Sequence, residues 1–389
     1  MKTIGLSVPN LEVEPILKNL RECLESGWVS TGGRLIPEFE GKVKKYLGCT
    51  DAVGIQSGTA GLHTALRVFG VDGTQEVIAP TLTFIAAVNP ITYLGAEPVF
   101  IGCDHTLCMD PVLLEKFCRE NCDMREGVLH NRKSGKPIRV IVVVHVFGNM
   151  ADMESIMDIA ERYNLKVLED ATEALGTYYT EGRYAGKYAG TIGDAGVLSF
   201  NANKIITTGG GGMVISQDQE FLDHVRFLSV QAKTDPLYFI HDEIGYNYRM
   251  LGLEAALGTV QIDDLEKFIE RKIENFKKYQ EAIEGIEGLT MIPFNTNIRA
   301  NHWFYSVVVD REKYGMDKDE LLQELLKEDI QTRPIWGLIH QQKPYRNHEA
   351  HGTEVAQWYY DRVLNIPCSS NLTEEERDYV ISKLKEFKK

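Results

Sequence analysis

From about residue 50 to residue 230 the chain repeats one figure: a short apolar, β-branched run, a turn, then a helical stretch. The runs are DAVGIQ (51–56), QEVIAP (75–80), EPVFIG (97–102), RVIVVVHV (139–146), LKVLED (165–170), AGVLSF (195–200) and GGMVIS (211–216). Helical candidates such as GLHTALRVFG (61–70) and MESIMDIAERY (153–163) lie between them. This alternation predicts a mostly parallel sheet covered on both faces, because parallel neighbours need a crossover that is usually a helix. RVIVVVHV is nearly continuous in apolar residues, as expected of a strand buried on both sides.

The rest of the chain is read around that sheet. Residues 1–48 form an N-terminal arm with the compact phrase GWVSTGGRLIPEFE (27–40), and residues 49–250 a large α/β domain. Residues 251–389 supply a connecting helix (an amphipathic stretch over 253–285) and a small α+β domain. In the latter, strands are expected near 303–310 and 329–333, and helices near 317–328 and 373–388. Residues 121–137 read as a polar surface insertion. A chain of 389 residues is long enough for a core that encloses a ligand.

With 42 Lys+Arg against 56 Asp+Glu the net charge is −14, which disfavours broad binding to nucleic acid or anionic membrane. No apolar run is long enough to span a bilayer, and MKTIGLSVPN does not read as a secretory leader. The seven cysteines are irregularly spaced, so a reduced, cytoplasmic setting is expected. Cys118 and Cys122 fit one helical face, and with no C-x2-C pair no metal site is expected.

In an open parallel sheet, ligands collect beyond the carboxyl ends of the strands. After DAVGIQ, Ser57, Gly58 and Thr59 open a helix, where small residues and the helix N-terminus suit an anion. By themselves they also read as an ordinary cap. LKVLED ends in Asp170, a carboxylate with little water that needs a cationic partner. After AGVLSF comes SFNANKIITT, then four glycines; its Lys204, among uncharged neighbours, suits a Schiff-base amine, although a lone loop lysine is usually solvated. In combination, an anion cradle, a strand-end aspartate and a strand-end lysine match the needs of pyridoxal 5′-phosphate.

The chain resembles the DegT/DnrJ/EryC1/StrS family of fold-type I, pyridoxal phosphate-dependent sugar aminotransferases. The resemblance runs from about residue 5 to the C-terminus. It is carried by GWVSTGGRLIPEFE, SGTAGLHTAL (57–66), APTLTFIAAVN (79–89), EDATEALG (169–176), SFNANKIITTGGGGM (199–213), GYNYRM (245–250) and RPIWGLIHQQKPY (333–345). The wording around Lys204 and Trp336 is similar to enzymes that aminate C4 of a UDP-linked 4-keto-6-deoxy-N-acetylhexosamine. What the resemblance implies is transfer of an amino group from L-glutamate to a nucleotide-linked keto sugar, in a homodimer with shared active sites.

The resemblance also implies residue roles. Phe84 would stack on the cofactor ring, Ser199 and Asn201 would bond its phosphate, and Asn247 would reach the phosphate of the neighbouring subunit. Trp336, His340 and Tyr345 would lie near the sugar, with Trp28 and Thr31 at the entrance. Arg249 is expected either at a substrate anion or in a salt bridge at the dimer interface. Many relatives have His where this chain has Asn201, and Gln or His where it has Glu173. A carboxylate beside the ring needs a donor or a raised pKa, so the role of Glu173 as cofactor neighbour stays open. Two rival readings remain: a sugar dehydratase or other enzyme on the same cofactor, and a sensor without turnover.

Overall fold

The computed structural model describes residues 3–235 and 237–389. The expected runs become strands β1 (Asp51–Ile55), β2 (Glu76–Pro80), β3 (Glu97–Ile101), β4 (Pro137–Val144), β5 (Lys166–Asp170), β6 (Ala195–Ser199) and β7 (Gly212–Ser216). They lie in the order β1-β7-β6-β5-β4-β2-β3. From β6 to β3 every pairing is parallel, whereas β7 runs antiparallel to both β1 and β6. Two reversals cancel, so β1 points the same way as β5 and β6. Their carboxyl ends therefore share one edge, and β7 starts there.

Helix α1 (Gly58–Val68) begins directly behind β1 and crosses that edge. Gly61 lets it press onto the sheet: a Cβ there would lie 2.8 Å from Val197 Cγ1. Gly212 does the same for β7, since its Cβ would meet the amide nitrogen of Gly58 at 2.6 Å. Close approach, rather than unusual backbone angles, fixes glycine at both positions.

Further along the chain lie strands β8 (Leu289–Met291), β9 (Tyr305–Val309), β10 (Arg333–Pro334), β11 (Ala350–His351) and β12 (Val363–Ile366). β8, β9, β12 and β10 form a separate antiparallel sheet, while β11 returns to the large sheet and pairs with β3. This return carries the segment after β10 across the carboxyl edge, where the Ile339 amide donates to the Thr81 carbonyl at 2.8 Å.

Three expectations need correction. Residues 121–137, read as a polar surface insertion, extend the large sheet: Cys122–Arg125 and Val128–Asn131 form a hairpin that pairs with β4. Its Asn131 is fully buried and donates to Glu76 at 2.9 Å, so polar composition here hides a satisfied interior contact. Cys118 lies on the helix Pro111–Asn121, but Cys122 opens the next strand, so they share no helical face. The amphipathic stretch over 253–285 divides at a 3-10 turn, Ile262–Asp264, into α2 (Gly252–Gln261) and α3 (Leu265–Ile283). The first part is mostly small and apolar, and its Gly258 fits against the Phe39 ring. The second has a polar outer face, so the two bury different surfaces.

The packing of α1 on the sheet is testable. Replacing Gly61 by Val should cost about 1–3 kcal/mol through overpacking against Val197, read as a lower midpoint in urea unfolding. An unchanged midpoint would contradict the close approach.

Candidate active site

Beyond the shared edge lies a cavity of about 830 Å3. Of the residues singled out from sequence, Ser57, Gly58, Thr59, Phe84, Asp170, Glu173, Ser199, Asn201, Lys204 and Trp336 line it together. Ser57 caps α1 by accepting the Ala60 amide at 3.1 Å. The amides of Gly58 and Thr59, in the first turn, have no partner within the helix. A Cβ on Gly58 would meet Thr172 at 2.8 Å and Ser199 at 3.2 Å, so glycine keeps this corner open. The result is a concave set of N–H and hydroxyl donors at a helix N-terminus, which suits an oxyanion.

The two acids that end β5 separate by strand alternation. Glu169 points away from the cavity and is held by His145 Nε2 at 2.8 Å and by the amides of Gly190, Ile192 and Gly193 at 2.5–2.8 Å. The Ala151 amide donates to His145 Nδ1 at 3.2 Å, so Nε2 is the nitrogen that donates to Glu169. Asp170 faces the cavity and has the Thr172 amide on one oxygen at 3.1 Å. Burial pushes its pKa up, opposed by Thr172 and by the Lys204 charge.

Lys204 stands 3.7 Å from Glu173 Oε1, and its ammonium lies 3.9 Å from the Trp303 ring centre. Burial pushes the Lys204 pKa down, while Glu173 and then Asp170 draw it back up. Glu173 is pushed up to about 7, chiefly by burial, with Lys204 and the Phe147 amide opposing. That amide donates to Glu173 Oε2 at 2.8 Å from a residue with φ of 57°. Of the two alternatives open to such a carboxylate, a donor or a raised pKa, Glu173 has both.

Other expected site residues lie outside this cavity. Arg249 is buried in an ion pair with Glu40 at 2.6 Å and also donates to the Gly54 carbonyl at 3.0 Å. Tyr345 is buried and donates to Asn89 at 2.6 Å. His340 bonds Thr81 through Nδ1 at 2.5 Å. Trp28, Thr31 and Asn247 are exposed. Conversely, sequence reading passed over Trp303, whose indole donates to the Asn203 carbonyl at 2.7 Å. The Ser7 hydroxyl reaches the same carbonyl at 2.9 Å, so two distant segments fix the loop that carries Lys204. The buried Asn301 beside it donates to the Glu173 and Leu175 carbonyls, both at 2.9 Å. The phrase NHWF was the available signal, a Trp beside polar residues at the entry to a strand.

This donor set fits a group with an anionic end, a basic ring nitrogen and a carbonyl carbon. Fold and site together define a pyridoxal phosphate-dependent transferase of fold type I. Residues 10–385 match the DegT/DnrJ/EryC1/StrS aminotransferase family. GDP-perosamine synthase of Escherichia coli O157:H7 is 33% identical over 388 residues, covering 100% of this chain and 99% of that protein. Spore coat polysaccharide biosynthesis protein SpsC of Bacillus subtilis is 32% identical over 400 residues, covering 98% and 96%. A crystal structure of DesI in the presence of its TDP-sugar product aligns with a TM-score of 0.87 at 25% identity, covering 99% and 93%. The chain belongs to the DegT/DnrJ/EryC1/StrS family and is a pyridoxal phosphate-dependent sugar aminotransferase.

The Glu173 environment predicts a pH effect on the cofactor-free protein. Folded Glu173 titrates near 7 and an exposed glutamate near 4.5, so the folded state binds more protons between these values. Stability therefore falls as pH rises through that window and levels off above it. Glu173→Gln should flatten the slope, measured as urea midpoints at pH values across the window. An unaltered slope would show that Glu173 does not titrate there.

Proposed function

We propose that the enzyme moves an amino group from L-glutamate to the C4 ketone of a nucleotide-linked 4-keto-6-deoxy sugar. As acceptor we propose UDP-4-keto-6-deoxy-N-acetylglucosamine, giving UDP-4-amino-4,6-dideoxy-N-acetylglucosamine. The observation that carries the reading is Lys204, a largely buried amine 3.7 Å from the buried Glu173, sharing with the buried Asp170 a cavity at the upper end of the ligand-pocket range. The relatives' names carry GDP and TDP, so they support a nucleotide-linked sugar; the choice of UDP rests on the wording around Lys204 and Trp336.

In this reading Gly58 and Thr59 amides, with the Ser57, Thr59 and Ser199 hydroxyls and the Asn201 amide, hold the cofactor phosphate. Asp170 would face the pyridine nitrogen and Phe84 the ring. Bound there, pyridoxal phosphate supplies a carbonyl carbon that carries the amine and a protonated ring that accepts an electron pair. Lys204 takes the proton from Cα of glutamate and later returns one to C4 of the sugar. A lowered pKa favours the neutral amine that the first task needs. The Phe147 amide anchors Glu173, which keeps an acid poised beside Lys204 without free movement. Trp303, Trp336 and Phe84 limit water at the reacting carbon.

A homodimer completes the proposal. Leu237, Tyr238, Phe239, Ile240 and Ile244 are large apolar residues at least half exposed, close in sequence to the exposed Asn247. Covered by a second copy, this segment would bring Asn247 to the partner's phosphate site, with Trp28 and Thr31 at the entrance. No helix among the described residues is long and apolar enough to cross a membrane. A cytoplasmic setting is proposed from this and from the unpaired thiols.

The visible spectrum of the holoenzyme with L-glutamate alone tests the first half of the reaction. A yellow band should bleach as 2-oxoglutarate appears, and subsequent keto sugar should restore it. A yellow band indifferent to glutamate would favour another amino donor or the dehydratase rival. Lys204→Ala should still bind the cofactor yet lose amine transfer by at least about 1,000-fold, measured as 2-oxoglutarate release. Asp170→Asn should lose about 100-fold or more with an unchanged circular dichroism spectrum, because the ring is then a poorer electron sink.

A further inference from the structure

Arg333 is, besides Lys204, the cationic side chain on the cavity wall among the described residues. Its backbone is fixed from both sides. In β10 it sits opposite Asn365 of β12, and Pro334 sits opposite Leu364. Just before it, the Gln331 amide donates to the Ile4 carbonyl and the Ile4 amide to Asp329, both at 2.9 Å. The side chain, in contrast, is exposed. Its one hydrogen bond among the described residues runs from Nη1 to the Thr332 carbonyl at 2.8 Å, and no carboxylate pairs with it. Arg249, already held by Glu40, has no such freedom. A guanidinium presents a fork of donors matched to carboxylate and phosphate oxygens, and most of this fork is unused.

We propose that Arg333 docks an oxyanion of the substrate, either a carboxylate of the amino donor or the diphosphate of the nucleotide sugar. The inference rests on the reaction proposed above, in which both anionic reactants enter the same cavity in turn. Asp170 and Glu173 repel an arriving anion, and a cation on a rigid strand offsets that repulsion without reorganising. The exposed position of Arg333 places its charge where a group several bonds from the reacting carbon arrives. The cofactor phosphate has a separate cradle at the α1 N-terminus, so Arg333 is left to the substrates.

The test compares wild type, Arg333→Gln and Arg333→Lys as pyridoxal phosphate-loaded holoenzymes. Binding of glutarate and of inorganic pyrophosphate, neither of which can react, is measured by calorimetry. In Arg333→Gln at least one probe should bind about 10-fold more weakly or worse, with Arg333→Lys intermediate and the cofactor absorbance unchanged. Selective loss of glutarate assigns the donor carboxylate, and selective loss of pyrophosphate assigns the diphosphate. If both probes bind Arg333→Gln within about twofold of wild type, or if wild type binds neither, the proposal is overturned. A wild-type enzyme that binds the probes through Arg333 yet makes no 2-oxoglutarate from glutamate defeats the proposed reaction and leaves the anion site standing.

Discussion

An ammonium, Lys204, shares a cavity with two buried carboxylates, Asp170 and Glu173, at the carboxyl edge of a parallel sheet, and much of the surrounding structure holds that arrangement. Charges removed from water are costly unless each is paired and hydrogen-bonded. Here the compensation is divided among several elements. Thr172 supplies an amide to Asp170, Phe147 supplies one to Glu173, and the face of Trp303 lies under the ammonium. Each of these comes from a different loop, so the site forms only when the loops are in register.

That register is set by the sheet. Strand alternation sends Glu169 and Asp170 to opposite sides, and the structure treats them oppositely. Glu169 receives four donors, which fix the end of β5. Asp170 receives one backbone donor and is left facing the cavity. One residue of slippage in β5 would exchange the two environments. The same reasoning explains the glycines at positions 61 and 212, which allow the helix carrying the anion cradle to approach the strands that deliver Asp170 and Lys204.

Local chemistry made part of this site legible. Ser57, Asp170 and Lys204 each follow a strongly apolar run, so their positions at a strand's end could be read from composition alone, and β1, β5 and β6 lie where those runs predict. Trp303 and Phe147 could not be found in that way. Trp303 matters because its ring meets Lys204 from 99 positions further along the chain, and Phe147 because its amide, which sequence does not distinguish from any other, points at Glu173. Arg249 and Arg333 show the same limit from the other side. Both are arginines near polar and aromatic neighbours, but one is neutralised by Glu40 and the other has no carboxylate beside it.

By itself the sequence determined the strand and helix pattern, the order in which cradle, acid and amine are delivered, and the family they belong to. Those properties depend on periodicity and on residues adjacent in the chain. Tertiary structure decided which charges are compensated, which arginine is free, and how the segment after β10 returns to the large sheet beside β3. Such outcomes depend on distances between residues remote in sequence, and electrostatic energies in a poorly solvated cavity change steeply over an ångström or two.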